Sequence, residues 1–385
     1  MERKEIPALT GIRGIAACWV VLYHVHEFDA IHGPLATLLR HGYLAVDIFF
    51  VLSGLVMGLS YSGLFSGGFT FRKYGVFLAR RAARIYPLYL VVTLALALLP
   101  IWQFVSIPHL HWLLRRLVLN LTLVDFWGFA APIDGPSWSI STELGAYLLF
   151  PILAAVTIYC RLSVIAVATM ICVIAVAVLT QLPTPASYPF PRQGPLDISW
   201  AGTIWPLLRC LAEFTIGLTA FRAATEHNVQ RVASAPWSTW AAFAAMLLLL
   251  LIKRTDVLIV CIIPVFLITL ACAESAIARI LASAPIMALG RLSYAIYLLH
   301  YPLLPIRTLV ASKLTGALGP AGSDVVGLAA FYGTLLILAA VCYRTIEVPG
   351  RKLIRRLEQR LFVPEHHALT VSEATGSAAV NPNAP

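Results

Sequence analysis

Charge is what this chain has least of. Of its 385 residues only 12% are Asp, Glu, Lys or Arg, against about 25% in an ordinary soluble domain. A row of two or three soluble domains is excluded on that ground, and a single helical bundle takes its place. Several short signatures are missing as well. There is no GxxxxGK[ST] loop, no GxGxxG at a strand–helix junction, no HExxH and no CxxC pair, so a nucleotide-hydrolysing pump or a zinc enzyme has no support. No small-x-small cleavage pattern follows the first apolar stretch and Arg13 interrupts it, so it is kept as a span and not as a secretory signal. No internal repeat is strong enough to argue inverted symmetry.

Apolar sequence is what the chain has instead: 59% of it is hydrophobic, with a mean hydropathy of +0.83. Runs near 20 residues recur, the length that crosses a bilayer as a helix. The expected fold class is therefore all-α, a polytopic bundle of ten spans at 9–28, 42–62, 85–101, 138–159, 162–181, 203–221, 236–252, 255–273, 285–304 and 325–343. Net charge is +10. With the N-terminus inside, the inner segments carry about twice as many Lys and Arg as the outer ones, as the positive-inside rule requires. That asymmetry puts both termini in the cytoplasm and leaves no need for nucleic acid as a partner. The Lys253–Arg254 pair, on an outer hairpin, runs against it.

All seven cysteines fall in or at the ends of spans and read as packing residues. Two outer connections are long. Residues 102–137 include an apolar stretch interrupted by Arg115, Arg116 and Asp125, read as an interfacial or re-entrant helix, with an eleventh span as the alternative. Residues 182–202 are too proline-rich for a helix and are expected to form an extended cover. The membrane domain is expected over 1–361, and the small, polar segment 362–385 to be a disordered cytoplasmic tail.

Ionisable groups inside spans are costly and need a partner, a water-filled space or a task. Arg13 and His24 stand eleven positions apart. On a helix that is about 20° beyond three full turns and about 16.5 Å along the axis, so both lie on one face. Sorted by depth, His24, Asp47, Glu143, Arg209 and His300 form an outer layer, Arg13, Arg291, Arg81 and Arg84 an inner one, and Glu213 lies between.

Each candidate carries two readings. Arg81 and Arg84, three apart, sit on one helix flank and with Arg13 suit a polyanion such as phosphate, or they are ordinary anchoring charges. His24 is a packing histidine, or a base oriented by Asp47 or Glu143 that deprotonates a hydroxyl. Asp47 serves alternatively as a partner for a neighbouring arginine. His300 is for packing or for substrate contact. Trp138, with Ser139 and Ser141, is a belt and cap residue or part of the channel. His26, on another face, is expected to meet interfacial water.

The blocks LTGIRGIAACWVVLYH, GYLAVDIFFVLSG, RRAARIYP, PSWSISTELGAYLLFP, LLRCLAEFTIGL and LGRLSYAIYLLHYPLL, in this order, resemble those of the acyltransferase 3 family. These are integral membrane acyltransferases, mostly bacterial, that modify surface and exported carbohydrates. The resemblance spans about residues 6–350. It implies that His24 is the catalytic residue of an Arg-x10-His pair with Arg13. It also implies that Arg81 and Arg84 hold an acyl-CoA donor on the cytoplasmic side, and that Asp47 and Glu143 occupy the family's acidic positions. Glu143 is followed by Leu144 and Gly145, where the commoner block carries a polar neighbour, so a relay through that neighbour is lost.

The activity so implied is transfer of a short acyl group, acetyl above all, from acyl-CoA to a hydroxyl of an exported polysaccharide or lipid-linked glycan at the cytoplasmic membrane. The cofactor is a donor substrate and not a resident group, Arg209, His300 and Trp138 are candidates for the acceptor channel, and export machinery is a candidate partner. A secondary transporter, whose intramembrane acids relay protons, is the alternative from another class. A silent assembly subunit is a third, opposed by the intact Arg13, His24, Arg81 and Arg84.

Overall fold

The computed structural model describes residues 5–25, 33–98, 107–186, 188 and 191–362. His26, the first residues of the 102–137 connection and all of the expected tail but Phe362 lie outside the described residues. Among those described there is no β-strand. Fifteen α-helices follow one another: α1 (Pro7–Val25), α2 (Pro34–Arg40), α3 (Ala45–Phe65), α4 (Phe71–Leu98), α5 (Ile107–Leu121), α6 (Trp138–Thr157), α7 (Leu162–Thr180), α8 (Trp205–Ala223), α9 (His227–Ala233), α10 (Pro236–Leu250), α11 (Asp256–Cys272), α12 (Ala276–Leu281), α13 (Ala284–Leu303), α14 (Pro305–Cys342) and α15 (Val348–Phe362).

Each of the ten expected spans contains a helix. By length and apolarity, six segments among the described residues suffice to cross a membrane, or seven if α9 and α10, bent by 78°, count as one. The protein is thus a multi-pass helical membrane protein. The expectation of ten crossings is wider than length and composition support, because α8 carries charge and α11 has only 17 residues.

Helix α5 has 15 residues, short of the roughly 20 that a span needs, so the connection before α6 holds an interfacial-length helix. Residues 305–324, expected as a loop, are helical. Helix α14 breaks at Gly319, whose φ of 70° suits glycine, and folds back on itself. Arg307 there meets Asp324 at 2.9 Å, and Thr315 meets Ser323 at 3.3 Å. All seven cysteines are free thiols.

Two helix pairs set the positions of the polar residues. In a bilayer, lipid tails are as apolar as leucine, so helices associate through close packing of small residues. Helices α1 and α13 touch where a Cβ on Gly290 would stand 2.1 Å from the Thr10 carbonyl oxygen. Helices α3 and α8 touch where a Cβ on Gly54 would stand 2.0 Å from the Phe214 carbonyl oxygen and one on Gly217 2.0 Å from that of Val51. Backbones this close leave each pair one register, and so fix which polar side chains meet further along. The first contact brings His24 beside His300, and the second brings Asp47 beside Arg209.

Candidate functional site

At the end of the bundle where α1 finishes, a cavity of about 630 Å³ opens. His24 and Tyr23 of α1, Arg209 of α8 and Tyr297 and Tyr301 of α13 form its helical walls, and Trp138 marks the start of α6. The two long connections complete it, through Phe126, Pro132 and Pro136 from one and Pro185, Tyr188, Asp197 and Trp200 from the other.

Several hydrogen bonds hold each cover in place. In the first, Arg116 donates from Nε to the Ala131 carbonyl at 3.2 Å, the Asn120 Oδ1 accepts from the Ile133 amide at 2.7 Å, and the Ser141 hydroxyl donates to the Leu123 carbonyl at 2.8 Å. In the second, the Asp197 carboxylate accepts from the Tyr23 hydroxyl at 3.1 Å and the Gln193 amide at 3.0 Å. Asp256 accepts from the Tyr43 hydroxyl and the Leu196 amide, both at 2.8 Å. Arg192 spends its guanidinium on the carbonyls of Gly194 and Leu182 and stacks 5.2 Å over Trp200. Burial raises the carboxyl of Asp197, and it lifts Asp134, whose carboxyl has no hydrogen bond among the described residues, to about 8.

His24 is exposed onto this cavity. Its Nδ1 lies 2.9 Å from the Val20 carbonyl oxygen and 3.3 Å from Nε2 of His300. A carbonyl only accepts, so Nδ1 of the neutral ring carries the hydrogen. His300 is oriented likewise, with Nδ1 2.6 Å from the Tyr297 carbonyl oxygen, which leaves its Nε2 as an acceptor facing His24. The Nε2 of His24 then keeps a lone pair and has no protein partner among the described residues. That is the tautomer a general base needs.

Neither acid expected to orient His24 reaches it. Asp47 binds Arg209 at 2.5 and 3.2 Å, and Arg209 also meets Glu213 at 3.4 Å. All three are buried, and the guanidinium lies 5.9 Å from the Trp138 ring. Asp47 is therefore the partner of an arginine, the second of its two readings. Glu143 accepts hydrogen bonds from the Ser53 hydroxyl and, at 2.6 Å, from the Tyr147 hydroxyl. His300 is fully buried behind His24, while Arg209 and Trp138 line the cavity.

The expected inner cations gather at the opposite end, but not as one clamp. Arg13 reaches the Gly290 carbonyl at 3.3 Å and the Ser293 hydroxyl at 3.5 Å. Arg84 meets Glu347 at 3.3 Å and lies 5.6 Å over the Tyr294 ring. Arg81 turns instead to the phenols, donating to the Tyr61 hydroxyl at 2.8 Å and lying 5.9 Å from the Tyr147 ring. Arg291 is exposed. No inner arginine is among the walls of the His24 cavity. Two residues that the sequence reading passed over belong to this end: Glu347, 1% exposed, and Arg351, 3.7 Å from it. Their i, i+4 spacing was the available signal. Among the described residues no group of three or more His, Cys, Asp or Glu gathers as for a metal ion.

The arrangement is that of a multi-pass helical protein with a neutral imidazole facing a covered cavity. Comparison with known proteins narrows this. The acyltransferase domain family of type 3 matches residues 6–344, and the chain belongs to that family. It is 31% identical over 318 residues to the acyltransferase MdmB of Streptomyces mycarofaciens, covering 77% of this chain and 78% of that one. It is 24% identical over an alignment of length 402, gaps included, to YrhL of Bacillus subtilis (strain 168), provisionally named a peptidoglycan O-acetyltransferase, covering 94% of this chain and 57% of that one. A Rhizobium radiobacter protein named from the picA locus is 35% identical over 153 residues, covering 35% of this chain and 75% of that one. No solved structure matches. The protein is an acyltransferase, and the transporter alternative gives way to it.

Proposed function

We propose that this enzyme transfers a short acyl group, acetyl in the first instance, from a cytoplasmic acyl-CoA to a hydroxyl of an exported polysaccharide or lipid-linked glycan, with both termini in the cytoplasm and the bundle in the cytoplasmic membrane. The observation that carries this reading is the His24 imidazole, held by Val20 and His300 with Nδ1–H committed and Nε2 open to the cavity. The acceptor enters under the two covers, where Trp138, Tyr188, Tyr301 and Trp200 offer ring faces and Asp197 a hydrogen-bond acceptor. The anionic head of the donor rests near Arg13 and Arg84, and its thioester arm extends toward His24.

His24 Nε2 removes the acceptor hydroxyl proton as the oxygen attacks the thioester carbonyl. The carbon–sulfur bond then breaks, and the departing thiolate takes the proton back from the imidazolium. General-base help of this kind is worth about 10²–10⁴-fold, and positioning of two substrates supplies much of the remainder. The name of the Bacillus subtilis relative supports an O-acetyl product on a glycan.

The test compares glycan mass spectra of a deletion strain complemented with wild type or with His24→Ala. The expected result is a mass increment of one acyl group per modified residue with wild type and none with the variant at equal protein level. Normal modification by His24→Ala rejects the chemistry.

A further inference from the structure

The arginine end of the bundle holds more cations than anions. Helix α14 leaves the bundle through a π-helical turn (Tyr343–Glu347) and continues as α15, whose Gly350 packs on Pro87 of α4 so closely that a Cβ would stand 2.5 Å from the proline ring. That contact brings Arg351 to the cluster. Glu347 Oε2 faces Arg84 at 3.3 Å and Arg351 at 3.7 Å, and its carboxylate also lies in the field of Arg13. Arg84 and Arg351 thus share one carboxylate, with Arg13 nearby on the Gly290 carbonyl and the Ser293 hydroxyl. Glu347 is 1% exposed, while Arg84 and Arg351 are 25% and 29% exposed, so the acid sits behind and the cations reach toward the open end.

The hydrogen bonding is also incomplete. Among the described residues Nε and Nη2 of Arg351 are buried without a hydrogen-bond partner, and so is Oε1 of Glu347. Buried guanidinium donors are seldom left unpaired, because each costs its desolvation with no return. The two unused groups of Arg351 are donors in a forked geometry, beside an excess of positive charge. Phosphate oxygens match both features.

We propose that Arg351 is a ligand for the anionic head of the donor, and that Glu347 is an internal stand-in for that anion, holding Arg84 and Arg351 in place until a phosphate displaces it. The π-helical turn carrying Glu347 lets the acid withdraw without unwinding α14, since such single turns are local widenings of a continuous helix. This rests on the acyl-CoA reading above and extends it to two residues beyond the matched family segment, which ends at 344.

Equilibrium binding to the purified full-length protein tests it, with coenzyme A and inorganic pyrophosphate as separate probes and thermal unfolding of each variant as a fold check. Arg351→Gln is expected to weaken coenzyme A by about tenfold or more, as loss of hydrogen bonds to a charged group does, with an unchanged acceptor KM. Glu347→Gln is expected to tighten both probes, because it removes the competing anion. A merely structural ion pair predicts the opposite for Glu347→Gln, weaker binding in step with lower stability, and that result overturns the proposal. Wild-type affinity retained in Arg351→Gln overturns it as well, as does failure of the wild type to bind either probe. Arg351-dependent binding of pyrophosphate without binding of coenzyme A keeps the anion site and removes coenzyme A as the donor.

Discussion

Two arginine clusters, one buried and one partly exposed, occupy this bundle with opposite charge balance. Near the cavity, Arg209 is held by two carboxylates, Asp47 and Glu213, and all three groups are sealed from solvent. At the other end Arg84 and Arg351 converge on a single carboxylate, Glu347, and among the described residues Arg351 keeps two donors without a hydrogen bond. A cation answered from both sides locks helices together: Asp47 on α3 to Arg209 on α8. A surplus of partly exposed cations does little for the fold. Charge balance and exposure thus both set the two clusters apart.

Breaking the sealed cluster has the largest expected effect. Arg209→Ala strands two buried carboxylates, and removing one partner of a buried ion pair costs about 3–5 kcal/mol. Loss of folded protein in detergent, followed by thermal unfolding, is the expected outcome. Replacing all three members with apolar residues of similar volume (Arg209→Met, Asp47→Leu, Glu213→Leu) is expected to recover most of that loss. If Arg209→Ala unfolds at the wild-type temperature, the cluster is not structural.

A second way to sharpen the contrast uses a buried acid with no cation at all. Asp134 lies in the first cover, and burial lifts its carboxyl to about 8. The folded state therefore keeps a proton that the unfolded chain gives up near its ordinary value of 3.8. The stabilisation is complete below that value, falls by at most about 1.4 kcal/mol per pH unit between the two, and is gone above about pH 8. Unfolding temperature measured from pH 5 to 8.5 is expected to fall in the wild type and to flatten in Asp134→Asn. Equal slopes in the two proteins contradict the assignment.

The smallest stability effect is expected at the cation-rich end. Arg84→Ala leaves Glu347 with Arg351, and a partly exposed pair is worth about 0–1 kcal/mol, so the unfolding temperature moves little. Donor affinity is expected to drop about tenfold or more and, in the wild type, to weaken as salt rises, because half-exposed charges are screened. Salt-independent donor binding argues against an electrostatic grip.

How much of this was legible in the sequence follows the same division. Apolar runs gave the helices, and the prolines of 182–202 announced an extended cover that does wall the cavity. Helical period placed Arg13 and His24 on one face, and both do turn toward α13. Depth along the membrane normal does not give azimuth, however. Asp47, Glu143 and His24 sort to one layer along the expected spans, yet they meet Arg209, Ser53 and His300 respectively. Those pairings follow from backbone contacts at Gly54, Gly217 and Gly290, hundreds of residues away from some of the groups that they bring together. Glu347 and Arg351 stand past the last apolar run, where basic residues read as membrane anchors. Residues 305–318 were polar enough to pass for a loop until Gly319 let the helix fold back.

The central claim is that a donor held at the arginine end meets a hydroxyl activated by His24 at the other. Sealed proteoliposomes of known orientation test it directly, with labelled acetyl-CoA restricted to one face and the glycan acceptor to the other. Transfer is expected only when the donor is on the face that carries Arg84 and Arg351, and not in His24→Ala. Equal transfer with both substrates confined to the cavity face contradicts the account.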